Sequence, residues 1–365
     1  MAKHITLLIL LFPSWIIAQN LELLTELHDQ IDESSGLIYL DGRLITHNDS
    51  EGVASLYEID SLTGNVIREV AILNATNHDW EDVCYDAEYI YIGDFGNNNG
   101  SRTDLKIYRI PRTDYLNTTN NAVHAEVISF HYGDQTNFTS TPLNTEYDAE
   151  AVISLGDSLY IFTKNWIHLT TSVYPIPKIP GEYELIKIDS LDSDGLITGA
   201  DISQETGRIL LSGYNGLQPF VVSIAEYANN SFSQGTVQKT NIDAPSGYSF
   251  QIEGIAVIAH DLFYLTSEEN FLGNAGLYKL NFNTSALMES ESEEISLYPN
   301  PASDSFQVLT SQNVVVHIYN AVGKKVKTTL SKRVNVSELP TGSYIVEICG
   351  SKGQILSNQK LLIQR

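Results

Sequence analysis

Five segments in the middle of the chain repeat one arrangement of apolar and polar positions. They are SGLIYLDGRLITHND from Ser35, EDVCYDAEYIYIGDFGN from Glu81, EAVISLGDSLYIFTKN from Glu150, TGADISQETGRILLSGYN from Thr198 and EGIAVIAHDLFYLTSEEN from Glu253. Each opens on Ser, Thr or Glu, usually followed by a small residue. A short apolar run, an Asp/Gly-type turn and a second run rich in Tyr, Leu and Ile follow, and the segment ends in a polar loop. Short apolar runs bounded by turn residues predict hairpins of buried strands. A third run comes after most of the loops: ASLYEID, LKIYRIP, YELIKID, PFVVSIA and GLYKLNF. A fourth often follows, such as NVIREVAI and AEVISFHY.

Four antiparallel strands recurring at about 50 residues are the pattern of propeller blades. The expected fold class is therefore all-β, a five-bladed β-propeller over 19–288 followed by a small β-sandwich. The intervals between opening residues are 46, 69, 48 and 55. The long second interval leaves a six-bladed ring as the alternative, with a degenerate blade hidden there. The last repeat has room for only three strands before Met288, and LELLTELH at 21–28 is an orphan apolar strand. It can complete the last blade and close the ring, which removes exposed sheet edges.

In such a ring the opening residue of every inner strand lies at one mouth of the channel. Ser35, Glu81, Glu150, Thr198 and Glu253 then converge near the axis. Three carboxylates brought that close do not all stay ionised without a cation. Carboxylate and hydroxyl oxygens in a roomy ring suit Ca²⁺ better than zinc. These five residues are the candidate metal ligands, direct or through water. The alternative is a polar network in which the glutamates bond backbone amides of neighbouring blades. The loops joining second and third strands surround the same mouth. They contribute the candidate ligand-binding residues Asn48, Asp49, Asp94, Asn97, Lys164, Tyr214 and Glu268, with Arg102 and Trp166 beside them. Trp80 and Tyr248 reach the mouth from the preceding loops, and His47 and His78 flank it. Lys164 and Arg102 can hold a phosphate or carboxylate, and Asp94 or Asp49 can position a water. Residue by residue, Asn, Asp and Gly in these loops also read simply as turn formers.

Charge and the chain ends change this picture in two ways. Residues 19–294 carry 12 Lys/Arg against 42 Asp/Glu, whereas 295–365 carry eight against three. So acidic a body excludes nucleic acid as partner, because duplex binding needs basic side chains. The first 18 residues, MAKHITLLILLFPSWIIA, read as a signal peptide cleaved before Gln19. The apolar run there is too short and too Pro-interrupted to span a bilayer, and no later segment is longer, so the mature chain is expected to have no membrane span. Residues 289–296 read as an acidic linker. Cys84 and Cys349 fall in different domains and predict no disulfide. No GxSxG, phosphate-binding glycine loop, CxxC or HxxxH is present.

The tail 297–365 alternates in VVVHIYNAVGKKV and SYIVEI, with turns at Val322-Gly323 and Thr341-Gly342. Its YPNP opening, IYNAVGK hairpin, LPTGSY strand and basic-apolar KLLIQR end closely resemble the type A C-terminal sorting domain of Bacteroidetes type IX secretion cargo. The resemblance implies recognition by the type IX machinery, export across the outer membrane, and a secreted or outer-membrane-surface location. Asp60-Ser61-Leu62, Asp157-Ser158-Leu159 and Asp189-Ser190-Leu191 resemble the O-glycosylation sequon of the same bacteria. The blade motifs resemble secreted bacterial propellers with a WED…YIGD pattern, although this chain continues Phe95-Gly96-Asn97-Asn98. The ring order, with Thr198 for one Ser, looks like that of the calcium-activated nucleotidases. Two functions follow as expectations. One is a propeller that binds calcium in its channel and an unknown extracellular ligand. The other is a calcium-dependent hydrolase of phosphoanhydrides or phosphate esters, apyrase- or phytase-like. Lactonase or sugar-cleaving activity is also open, since propellers host those.

Overall fold

A computed structural model describes residues 19–50, 52–243, 245, 248, 251–270, 273–282, 296–310, 314–320, 324–350 and 355–364. The expected signal peptide, nearly all of the acidic linker and the Val322-Gly323 turn lie outside the described residues. The chain divides into two compact units at Phe282/Asn283, slightly before the limit of 288 expected from the repeat. No helix among the described residues is long and apolar enough to cross a membrane.

The described residues of the first unit form five sheets of four or five strands, each with a core of three or four antiparallel strands that follow one another along the chain. The opening strands of the repeats are Ser34–Leu40, Trp80–Tyr85, Asp148–Leu155, Leu196–Ile202 and Ile252–Ala259. Each packs against the next, and Ile252–Ala259 returns to Ser34–Leu40, so the inner strands form a closed ring. The orphan strand closes it. Glu22–Glu26 pairs antiparallel with Gly276–Asn281 as the outermost strand of the fifth sheet. Three short strands then stitch sheets together at their outer edges, where Gln19–Asn20, Ala122–Val123 and Gly181–Leu185 each add in parallel to a sheet.

Apolar burial fills the gap between each pair of neighbouring sheets. Ile38, Leu56 and Ile92 pack between the first two, Val152 and Ile161 against Tyr91 and Ile107 between the second and third, and Phe162 against Leu211 and Phe220 between the third and fourth. Two further clusters complete the circuit. Cys84 is a buried core residue of this kind, and both Cys84 and Cys349 are free thiols.

The long second interval contains no sixth sheet among the described residues. It holds the helix Arg112–Asn117, the edge strand Ala122–Val123, the strand Glu126–Tyr132 and a loop up to Asp148. That loop is laid back over the mouth: Thr141 and Leu143 donate their amides to the carbonyls of Asn99 and Asn98. One strand assignment changes. The third strand of the third sheet is Thr171–Pro177, TSVYPIP, not the expected YELIKID. Two prolines disguise it, because proline removes a ladder donor and reads as a strand breaker. Pro175 nevertheless stands opposite Tyr160, and Gly181–Leu185 is left to edge the second sheet.

In the second unit, Ser296–Tyr298, Ser305–Leu309 and Arg333–Asn335 form one sheet, and Val314–Tyr319, Lys325–Thr329, Gly342–Gly350 and Ile355–Ile363 another. Phe306, Val308 and Val334 of the first share a core with Val316, Ile318, Val346 and Leu361 of the second. The alternation read in the sequence is the burial alternation of Val314–Tyr319.

The glycine that follows Ser35, Thr198 and Glu253 has a steric cause. A Cβ on Gly36 would stand 2.5 Å from the Val83 nitrogen and 2.7 Å from the Asp82 Cα, both rigid backbone of the next inner strand. Gly199 and Gly254 face the carbonyls of Glu253 and Ser35 in the same way. Gly36→Ala therefore overpacks the ring and is expected to destabilise the protein by about 1–3 kcal/mol, read as a lower denaturation midpoint. An unchanged midpoint would show that the inner strands are not in this contact.

Candidate functional site

Each opening residue of the repeat is displaced from its ladder by a β-bulge. Pairing jumps from Trp80–Asp94 to Asp82–Gly93 and skips Glu81. It skips Glu150 between Ala149 and Ala151, Thr198 between Ile197 and Gly199, and Glu253 between Ile252 and Gly254. In the first sheet the irregularity spans Ser35 and Gly36. A bulged residue leaves the ladder and has its side chain re-aimed. The repeat thus brings Ser35, Glu81, Glu150 and Glu253 to the wall of one cavity of about 250 Å³, together with Asp49 and Glu268 from the loops and Lys164 and Tyr214 from the ends of the strands Ser158–Lys164 and Ile209–Asn215. Trp166, Gln251, Asn98 and Leu143 complete that wall.

The two hydroxyl residues act between sheets. Ser35 Oγ donates to the Glu81 carbonyl at 2.6 Å, and Thr198 Oγ1 donates to the Ile252 carbonyl at 2.5 Å. Each ties one inner strand to the next. Thr198 is fully buried and lies off the cavity wall.

Carboxylates dominate the electrostatics. Oxygens of Glu81, Asp148 and Glu150, all buried, lie within 4.8 Å of one another. Burial raises the affinity of Glu81 for its proton well above the usual range, and Glu150, Asp49, Asp79 and Asp148 raise it further. Glu150 and Glu253 are pushed up by burial too, with Lys164 pulling the other way. Lys164 is the counter-charge within this wall. Its Nζ stands 3.1 Å from Glu150 Oε1 and lies over the rings of Trp166 and Tyr214 at 5.0 and 5.7 Å. Burial works against the ammonium, yet Glu150, Tyr214, Glu253 and Asp148 hold its pKa well above the ordinary lysine value. Asp148 was not expected here. Its signal was parity, since it sits two residues before Glu150. Its oxygens accept from Trp166 Nε1 at 2.7 Å and from the Asn97 amide at 2.5 Å.

Other expected residues lie outside this cavity. Asp94 is fully buried and ion-paired with Arg102 at 2.9 Å and Lys106 at 3.6 Å, so it is not placed to orient a water in the cup. Arg102 divides its guanidinium among Asp94, Asp104 and the Gly96 carbonyl, so it does not face the ring. Asn97 bonds the Tyr147 carbonyl and the Arg102 amide, and Asn48 bonds the Gln30 carbonyl. These side chains shape the loops, as turn-forming polar residues do. Trp80 is a core residue whose Nε1 donates to Thr76, and Tyr248 donates to Glu26. His47 is buried edge-on to Trp80, and burial lowers its pKa to about 4.

An amide network also exists, but aspartates carry it. Asp82 Oδ2 accepts the amides of Val152 at 2.8 Å and Ala200 at 3.1 Å, while Oδ1 accepts that of Val83. One carboxylate thereby joins the second, third and fourth inner strands. Asp201 Oδ2 accepts the Val257 amide of the fifth at 2.8 Å. Burial raises the Asp201 pKa to about 7, despite this bond and that of Ile202. The folded protein then holds a proton that the unfolded chain, with an ordinary aspartate near 3.8, releases. Stability is fullest below about pH 4 and falls as pH rises through 7, by up to about 4 kcal/mol for this group. Melting in chelator should show a steeper decline from pH 5 to 7.5 in the wild type than in Asp201→Asn. Parallel pH profiles would contradict this.

Residues 296–364 match the family described as a secretion system C-terminal sorting domain. That match agrees with the route read from the tail, export by the type IX system to the cell surface or beyond. A search of curated proteins finds no match. Among solved structures, the chain is similar to the PQQ-bound aldose sugar dehydrogenase of Streptomyces coelicolor, at 11% identity over 72% of this chain and 98% of that one, with a TM-score of 0.40. It is similar to the GH43 β-xylosidase/α-arabinofuranosidase CoXyl43 from a compost microbial metagenome, at 12% identity over 74% and 96%, with a TM-score of 0.43. It is also similar to PorZ, a surface component of the type IX secretion system of Porphyromonas gingivalis, at 13% identity over 91% of this chain and 45% of PorZ, with a TM-score of 0.33. Likenesses this distant transfer neither site nor activity.

Proposed function

We propose that this chain is a five-bladed β-propeller, carried to the cell surface or medium by its C-terminal sorting sandwich, that binds Ca²⁺ in its channel and an extracellular ligand in the cup above. The observation that carries the metal is the meeting of Glu81, Asp148 and Glu150, buried and within 4.8 Å, with Lys164 as the ammonium among them. Hard oxygen donors of this kind fit Ca²⁺. Glu81, Asp148 and Glu150 would hold the ion, with Ser35 and Glu253 in reach through water. Thr198 would act as an inter-blade tie. The ion would neutralise the ring and lock the blades it joins. Calorimetric titration of the mature full-length chain with Ca²⁺ is expected to show binding and a rise in melting temperature. Ligand excess of a hundredfold over Kd is worth about 3 kcal/mol. Glu150→Gln is expected to weaken the axial binding at least tenfold. No heat and no melting shift in the wild type would overturn the metal reading.

The hydrolase reading needs a positive group facing the substrate. Lys164 is bonded to Glu150 and Arg102 to Asp94, and the cup wall adds Asp49, Glu253 and Glu268. Such a wall repels anions and favours a neutral or cationic ligand beside Trp166 and Tyr214. ATP and ADP are expected to release no phosphate with or without Ca²⁺. Calcium-dependent release that disappears in Lys164→Met would establish the hydrolase instead.

A further inference from the structure

A second carboxylate cluster adjoins the axial one through Glu81. Ligating oxygens of Asp49, Asp79 and Glu81 lie within 4.8 Å of one another. Glu81 is thus a member of both clusters. Its residue is only 4% exposed, and its Oε1 has no hydrogen-bond partner; Asp49 Oδ1 is buried and unpartnered as well. Gly96 shows which way the Glu81 oxygen faces. A Cβ built on Gly96 would run into Glu81 Oε1 and stand 2.5 Å from Asp79 Oδ2, so these two oxygens share the space that the missing side chain leaves. The Arg102 guanidinium stands 3.9 Å from Asp79 Oδ2, and it is already shared with Asp94 and Asp104. Asp49 and Glu81 border the axial cavity, while Asp79 borders a neighbouring recess of about 450 Å³ lined by His78, Asn98 and Arg102.

We propose that Asp49, Asp79 and Glu81 form a second, off-axis site for a hard divalent cation, with Glu81 as the carboxylate shared between it and the axial site. An unpartnered buried carboxylate oxygen loses its hydration and gains nothing in return unless a cation or proton arrives. An oxygen-only donor set with access from a polar recess suits Ca²⁺ or a similar ion. This inference rests on the axial reading only through the shared Glu81, and the test separates the two.

The test is Ca²⁺ stoichiometry of the mature full-length chain by calorimetry, with Mn²⁺ counted by electron paramagnetic resonance as the second probe. The wild type is expected to bind two ions. Asp79→Asn and Asp49→Asn should each lose one and keep the other, and Glu150→Gln should lose the complementary one. Circular dichroism and melting in chelator confirm that each variant is folded. One ion that survives both Asp79→Asn and Asp49→Asn but not Glu150→Gln overturns the off-axis site and leaves the axial one standing. One ion that depends on Asp79 and not on Glu150 keeps the off-axis site and overturns the axial one. No ion in the wild type overturns both.

Discussion

Asp49, Asp79, Glu81, Asp148, Glu150, Glu253 and Glu268 crowd the mouth of a closed ring of strands, and their mutual repulsion is the constraint that the centre of the molecule is built to contain. Like charges at this spacing in a buried site must be neutralised by protons, by an ammonium or by a metal. The fold supplies one ammonium, Lys164, on the Glu150 side. Among the described residues no lysine or arginine pairs with Glu81, whose Oε1 has no hydrogen-bond partner. The charge is tolerated because five apolar interfaces between sheets hold the ring shut, and because hydrogen bonds donated by Ser35 and Thr198 and accepted by Asp82 and Asp201 tie each inner strand to others. Bulges then aim the ring residues inward while the ladders beside them continue.

Much of this was legible because it repeats. The opening Ser, Glu, Glu, Thr and Glu recur in one register, and the register is physical: each falls at the break in the pairing of its sheet's first two strands. The small residue after it was legible for the same reason, since the next inner strand passes within van der Waals contact of Gly36, Gly199 and Gly254. Asp82 breaks that rule and was overlooked. It fills the slot that is glycine or alanine in every other repeat, and there its carboxylate reaches amides of two other strands. Asp79 and Asp148 were missed because they precede the repeat unit, where a sequence reading sees only loop. Beside the mouth, Asp94, Asn97 and Arg102 bond one another, a pairing that residue type alone does not reveal.

The two units were legible to different degrees. The tail declares itself through strict alternation and four ordered motifs, and the burial pattern follows that alternation directly. In the ring, hairpins were clear, whereas outer strands were not. TSVYPIP carries two prolines on a strand that still pairs on both sides, and the short parallel edge strands have too few residues to show any period. These outer elements are held by tertiary contact rather than by local preference.

The most direct test of the central claim is a crystal structure of the mature chain grown with Ca²⁺, with Mn²⁺ substituted to give anomalous scattering. Anomalous density is expected among Glu81, Asp148 and Glu150, with Lys164 retained beside Glu150. Channel density explained by water alone, with these carboxylates bonded only to Lys164 and to each other, would contradict it.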